Sequence, residues 1–271
     1  MSFLKEVEPA RGIAEPIVDG VRRVVARNAG LMTYHGTNTY IVDHDAEVLV
    51  IDPGPDDLPH VEAILAVIGG RPSRILLTHT HGDHLGAAAQ LKAATGAAIY
   101  SYRESAKPGF RPDIPLAGGD VVAGLIVVHT PGHAADHICF ARADGVLFSG
   151  DHVMAWSSTV VRPPKGDMAA YYASLQLLLT RDDALYLPGH GPVLSDPRSY
   201  VRDLLKRRQA REEAIAAIIA RSALTPVELT DMLYSKTHAI LRAAAECNVT
   251  AHLLKLEAEG RAERVGDRWR A

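Results

Sequence analysis

Residues 76–88 read LLTHTHGDHLGAA, and their middle crowds His79, His81, Asp83 and His84 into six positions directly after an apolar run. Imidazole and carboxylate groups at this density suit a transition-metal ion. One loop cannot complete a coordination sphere at this spacing, so the fold must bring further ligands from distant positions. RILLTHT reads as a short buried strand and HLGAAAQLKAATG as a helix ending at Gly96. His79 and His81, at i and i+2, are expected to end that strand and so to point the same way.

Three further candidates stand just past predicted strand ends, in turns rich in Gly and Pro: His133 in HTPGH, Asp151 in FSGDH and His190 in LPGHG. Loop ends along one edge of a sheet system can converge. Seven ligands from four loops fit two metal ions that share a carboxylate. Water between two dications has a lowered pKa and gives hydroxide near neutral pH, a nucleophile for carbonyl or phosphoryl centres. Zinc suits the donor set best, and iron and manganese are compatible with it.

Around these motifs, VRRVVAR, TNTYIVD, EVLVIDPG, AAIYSY, GLIVVHTPG and ALYLPGHGP read as strands. HICFARADGVLFSGD reads as a hairpin turning at Asp144-Gly145. A helix follows Asp57 and stops at Gly69-Gly70, and Asp167 can cap another through MAAYYASLQLLL. After about Pro197 the character changes. A long amphipathic helix leads to a helix with Thr225 as N-cap and Pro226 at its first position. A further helix is stopped by Gly260, and a short hairpin turns at Gly266-Asp267. This is the order of a winged helix-turn-helix. From Arg198 onward there are 14 Lys/Arg against 10 Asp/Glu, whereas the chain as a whole has net charge −3.

HTHGDH matches the H-x-H-x-D-H signature of the metallo-β-lactamase superfamily, and His133, Asp151 and His190 follow in that family's order. With IDPG at Ile51–Gly54, the resemblance spans about residues 17 to 196. It implies an α/β fold: an αββα sandwich over 1–196 with a dinuclear site at one edge, then a linker helix and a small winged-helix-like α+β domain over 197–271. Carried over, one metal takes His79, His81 and His133, and the other takes Asp83, His84 and His190. Asp151 bridges them. Asp83 also orients the hydroxide and passes a proton to the leaving group. The tail, with YHGTNTYIV, HTPGHAADH, FSGDHVM and LPGHGPV, resembles the branch typified by β-lactamase-like protein 2. That branch includes an endoribonuclease of single-stranded RNA.

The expected function is hydrolysis of a small ester, thioester or lactone. Cleavage of single-stranded RNA is one alternative. A nucleic-acid-binding regulator with a vestigial sandwich is the other. Arg162 and Lys165 can serve either hydrolytic substrate from the rim. Lys206-Arg207-Arg208 reads as a solvated or interdomain face, since Glu212 and Glu213 follow and stacking aromatics are sparse. The tail can also cover the active-site mouth or join two copies into a homo-oligomer. His35, His129, Tyr171 and Tyr172 read as structural. Asp52 is equally suited to supporting the ligand loops or capping a turn, and His137 to supporting a ligand or packing; His152 reads more as a packed residue than as one facing substrate. Cys139 reads as a packed strand residue. No apolar run reaches membrane-spanning length, and the start lacks a secretory h-region. A cytoplasmic protein is therefore expected.

Overall fold

Strand residues that alternate between two apolar surroundings set the layering. The computed structural model of the chain describes residues 2–235 and 237–271. One sheet contains β1 (Glu15–Val18), β2 (Val21–Val25), β3 (Asn38–His44), β4 (Glu47–Ile51), β5 (Ser73–Leu76), β6 (Ile99–Tyr102) and β7 (Ile114–Leu116), in that spatial order. β1 to β4 are antiparallel, and from β4 to β7 neighbours run parallel. Helical crossovers make the first two of these parallel pairings possible. They are α1 (Leu58–Ile68) between β4 and β5, then α2 (Gly82–Leu85) and α3 (Ala88–Thr95) between β5 and β6.

The second sheet contains β8 (Val121–Val122), β9 (Leu125–His129), β10 (Ile138–Ala141), β11 (Val146–Gly150) and β12 (Leu185–Pro188). Its spatial order is β12-β11-β10-β9-β8. β11 and β12 are parallel, joined through α4 (Met168–Leu179). Tyr40, Leu49, Ile51, Phe140, Phe148 and Leu187 fill the space between the sheets. The alternate residues Val48 and Val50 of β4 face Ile64, Ile68 and Leu91 of α1 and α3. In β10, Cys139 and Ala141 face Tyr171 and Leu175 of α4 and Val201 and Leu204 of α5 (Pro197–Ile219). The result is the expected αββα order. Strands covered on both faces read as continuous apolar runs, which is why EVLVI and ICFA stand out in the sequence.

The second half of α5 turns to a separate core. Ile215 and Ile219 pack with Leu229 of α6 (Pro226–Leu233) and with Val249, Leu253 and Leu256 of α7 (Ala239–Ala258). Trp269 closes this core from β14 (Arg268–Arg270), which pairs with β13 (Glu263–Val265). Thr225 caps α6 through a reciprocal capping box with Glu228. This is the expected winged helix.

Away from the candidate metal ligands, the structure departs from expectation in three places. The helix expected up to Gly96 is two helices, because the Ala87 N–H donates to Gly54 O at 3.0 Å instead of continuing the ladder. Asp57 precedes α1 without a side-chain cap bond. β1, β7 and β8 carry no strong signal: they are short edge strands, and two contain a proline. Among the described residues no helix is long and apolar enough to cross a membrane. Cys139 and Cys247 are both free thiols.

Candidate metal centre

The loops that follow β4, β5, β9, β11 and β12 gather at one edge of the sandwich. β5 ends at Leu76, so His79 and His81 are not strand residues as expected; they lie in the loop beyond it, and His81 is the N-cap of α2. Strand alternation therefore does not aim them. Asp52 does much of that work: its carboxylate accepts from Thr78 N and Thr78 Oγ1, each at 2.7 Å. The two rings still converge, with His79 Nε2 2.9 Å from His81 Nδ1. His133 Nε2 lies 3.0 Å from the same His81 atom.

On the other side, His190 Nε2 is 3.3 Å from Asp83 Oδ2, and His84 Nε2 is 3.8 Å from it. Asp151 stands between the groups. Its Oδ1 is 3.5 Å from both His84 Nε2 and His190 Nε2, and its Oδ2 is 3.7 Å from His133 Nε2. Gly189 permits this approach, since a Cβ there would meet Asp151 Oδ1 at 2.6 Å and His84 Cε1 at 2.7 Å. All seven sequence candidates are thus brought together. Ligand atoms lie within 4.8 Å of one another in each of three sets: His79/His81/His133, Asp83/His84/His190 and His79/His84/Asp151.

The remaining ring nitrogens fix tautomers. His133 Nδ1 donates to Val160 O at 2.7 Å and His190 Nδ1 to Gly36 O at 3.1 Å, which turns each Nε2 toward the cluster. His84 Nδ1 is 2.8 Å from Asp52 Oδ2. Asp52 is therefore a support of the candidate ligands. So is His137, which accepts from Asp151 N at 3.2 Å and shares a 2.8 Å bond with Thr130 Oγ1.

Three atoms, His84 Nε2, His190 Nε2 and Asp151 Oδ1, are buried without a hydrogen-bond partner among the described residues. Buried polar atoms normally have one. Orphaned polar atoms that all face a common point, in a set of five imidazoles and two carboxylates, fit divalent cations. Burial, and then the neighbouring imidazoles, hold His79 well below its ordinary range and bring His81 down to about 4. Burial also opposes charge on Asp151, but His190 and His84 outweigh it and keep the carboxylate ionised. The same opposition is overcome at His84 and His190 by Asp151, which raises His190 to about 9.

A cavity of about 500 Å³ opens onto His81, Asp83, His133 and Asp151. Met32, Val160, Pro163 and Pro164 give it an apolar side, and Arg162 and Lys165 add charge. The other histidines lie off this surface. His152 is fully buried against Tyr171, at 4.6 Å between rings, so it packs and does not face substrate. His129 stacks on Tyr102 at 4.0 Å, His35 tilts against Tyr34, and His252 pairs with Glu212. Tyr171 and Tyr172 are core residues as expected. Sequence reading gives no role to Met32, Thr159, Val160 or Asn248. Each is an ordinary residue type that acquires its place through distant contacts.

A model of the metallo-beta-lactamase superfamily matches residues 32–190, and one of the beta-lactamase associated winged helix domain matches residues 225–269. A beta-lactamase-like protein 2 homolog of Drosophila melanogaster is 30% identical over 267 residues, covering 90% of each chain. The atrochrysone carboxyl ACP thioesterase AgnL7 of Paecilomyces divaricatus is 32% identical over 239 residues, covering 81% of this chain and 73% of its own. The crystal structure of a metallo-beta-lactamase family protein from Thermus thermophilus superposes with a TM-score of 0.78 at 25% identity, over 93% of this chain and 99% of that one. Matched in its sandwich, its tail and most of its length, the chain belongs to the metallo-beta-lactamase superfamily and is a metal-dependent hydrolase that carries the winged helix domain associated with that fold.

Proposed function

We propose that the protein hydrolyses a small ester, thioester or lactone at its carbonyl carbon, using two divalent metal ions, zinc first among them. His79, His81 and His133 would hold one ion and Asp83, His84 and His190 the other, with one oxygen of Asp151 turned to each. Two such ions supply Lewis acidity and a lowered water pKa.

The observation that carries the reading is the cavity itself: it is the size of one small ligand, and it combines an apolar wall with two cations above the ligand cluster. Asp83 stands on its wall with its side chain 31% exposed. Burial disfavours its charge, but His84 outweighs that and keeps it ionised. An ionised carboxylate there can take the proton of the attacking water and return it to the leaving alkoxide or thiolate. Arg162 and Lys165 can stabilise negative charge as it develops. The similarity to a thioesterase supports carbonyl chemistry.

RNA cleavage is the second reading. A cavity of about 580 Å³ lined by Arg207, Arg208, Arg211, Phe3 and Tyr234 favours it. Yet Arg208 is buried and donates to Thr159 O, and Arg211 lies 4.3 Å over the Tyr234 ring and donates to Leu233 O. These groups already serve the fold. The nucleic-acid-binding regulator has less support still, because in α7 of the tail Ala251 packs in the sandwich core and Asn248 bonds Val161.

The test is turnover of aryl esters, acyl thioesters and lactones beside end-labelled single-stranded RNA. Protein reconstituted with zinc, iron or manganese is used, with chelated protein and Asp83→Ala as controls. Carbonyl turnover is expected, with loss of about 10²-fold or more in Asp83→Ala. Metal-dependent RNA cleavage with no carbonyl turnover would overturn the proposal.

A further inference from the structure

Between β11 and α4 the chain runs from Asp151 to Asp167 without regular secondary structure. Buried backbone groups in such a segment must find partners outside a ladder. Thr159 and Val161 are fully buried, and their partners come from the C-terminal segment. Val161 N donates to Asn248 Oδ1 at 2.9 Å, and Arg208 Nη2 donates to Thr159 O. Both side chains are themselves nearly enclosed, Arg208 at 6% and Asn248 at 8% exposure. Arg208 also lies 5.4 Å over the Tyr171 ring, whose hydroxyl donates to His152 O.

Thr159 and Val160 of this segment face the candidate metal centre. Val160 O accepts from His133 Nδ1, and Thr159 Oγ1 donates to Asp151 O at 2.7 Å. We propose that Asn248 and Arg208 are positioning residues: through the clamped Thr159–Val161 segment, the winged-helix tail sets the tautomer and aim of His133. The inference rests on the ligand assignment above. A hydrogen-bond partner behind a ligating histidine fixes its ring and raises its basicity. Removing Asn248 leaves Val161 N–H buried without an acceptor and frees the Val160 carbonyl. The His79/His81/His133 set should then lose affinity, whereas the Asp83/His84/His190 set keeps its own supports in Asp52 and Gly36.

The experiment is a zinc titration of metal-stripped, full-length protein against a chromophoric chelator, with circular dichroism as a check on folding. In Asn248→Ala, one zinc should bind about 10–100-fold more weakly, and the other should hold within about 3-fold. Asn248→Asp keeps an acceptor at the same reach and should restore the weakened site. If Asn248→Ala does not fold, Asn248→Ser should show the same selective loss. Unchanged affinities in a folded variant, or equal loss at both sites without rescue by Asn248→Asp, would overturn the proposal. His133→Ala separates the two levels: if it leaves both zinc affinities intact, the ligand assignment has failed, not the clamp.

Discussion

His60 shows how a single buried imidazole is tied to stability. It is 2% exposed, and its Nε2 lies 2.8 Å from Thr39 Oγ1, which in turn donates to Asp52 O. Burial holds its pKa down to about 4, against 6.5 when unfolded. Between these values the unfolded chain binds the extra proton. Stability is therefore full above 6.5 and falls as the pH drops toward 4. The loss amounts to about 3 kcal/mol. Urea denaturation across this range should show a smaller fall in His60→Gln than in the parent. Parallel pH profiles would contradict this. The seven ligand candidates were legible because each is a metal-capable residue in a loop punctuated by Gly or Pro. Their supports were not. Thr78, Thr130 and Gly36 act through hydrogen bonds whose partners are set by tertiary contact.

Among the elements, α4 ties the hydrophobic face of one sheet to the loop that carries His133. Asp167 accepts from Ala170 N at 2.7 Å and caps the helix, and its own N–H donates to Gly132 O at 2.9 Å. Gly132 has φ +141, and a Cβ on it would lie 2.4 Å from Tyr171 Cα, so the loop and the helix start meet backbone to backbone. Asp167→Ala should cost about 1 kcal/mol of stability in urea; an unchanged midpoint would show that the cap carries no weight. The cap was readable from sequence, as were the strands buried on both faces. The break between α2 and α3 was not, because it depends on the carbonyl of Gly54, far upstream in the chain. Nor was the aim of His79 and His81, which comes from a loop braced by Asp52 and not from strand alternation.

At the scale of the molecule, the tail is joined to the centre it follows. α5 gives Tyr200, Val201 and Leu204 to the sandwich and Ile215 and Ile219 to the winged helix. Arg208 and Asn248 reach Thr159 and Val161 across separations of 49 and 87 residues. In the sequence Arg208 is one member of a basic triple, and nothing near Asn248 marks it. The order of helices and hairpin identifies the tail's form, but its use is decided by which of its faces the sandwich covers. In the proposed function, hydrolysis at this edge of the sandwich would depend on the seven residues acting as one two-metal centre. The most direct measurement is the zinc content of saturated, desalted protein by mass spectrometry, compared with Asp151→Ala and paired with turnover of the best carbonyl substrate. About two ions per parent chain are expected and at most about one in the variant, with activity lost alongside. An Asp151→Ala protein that keeps both ions and full activity would contradict the shared centre.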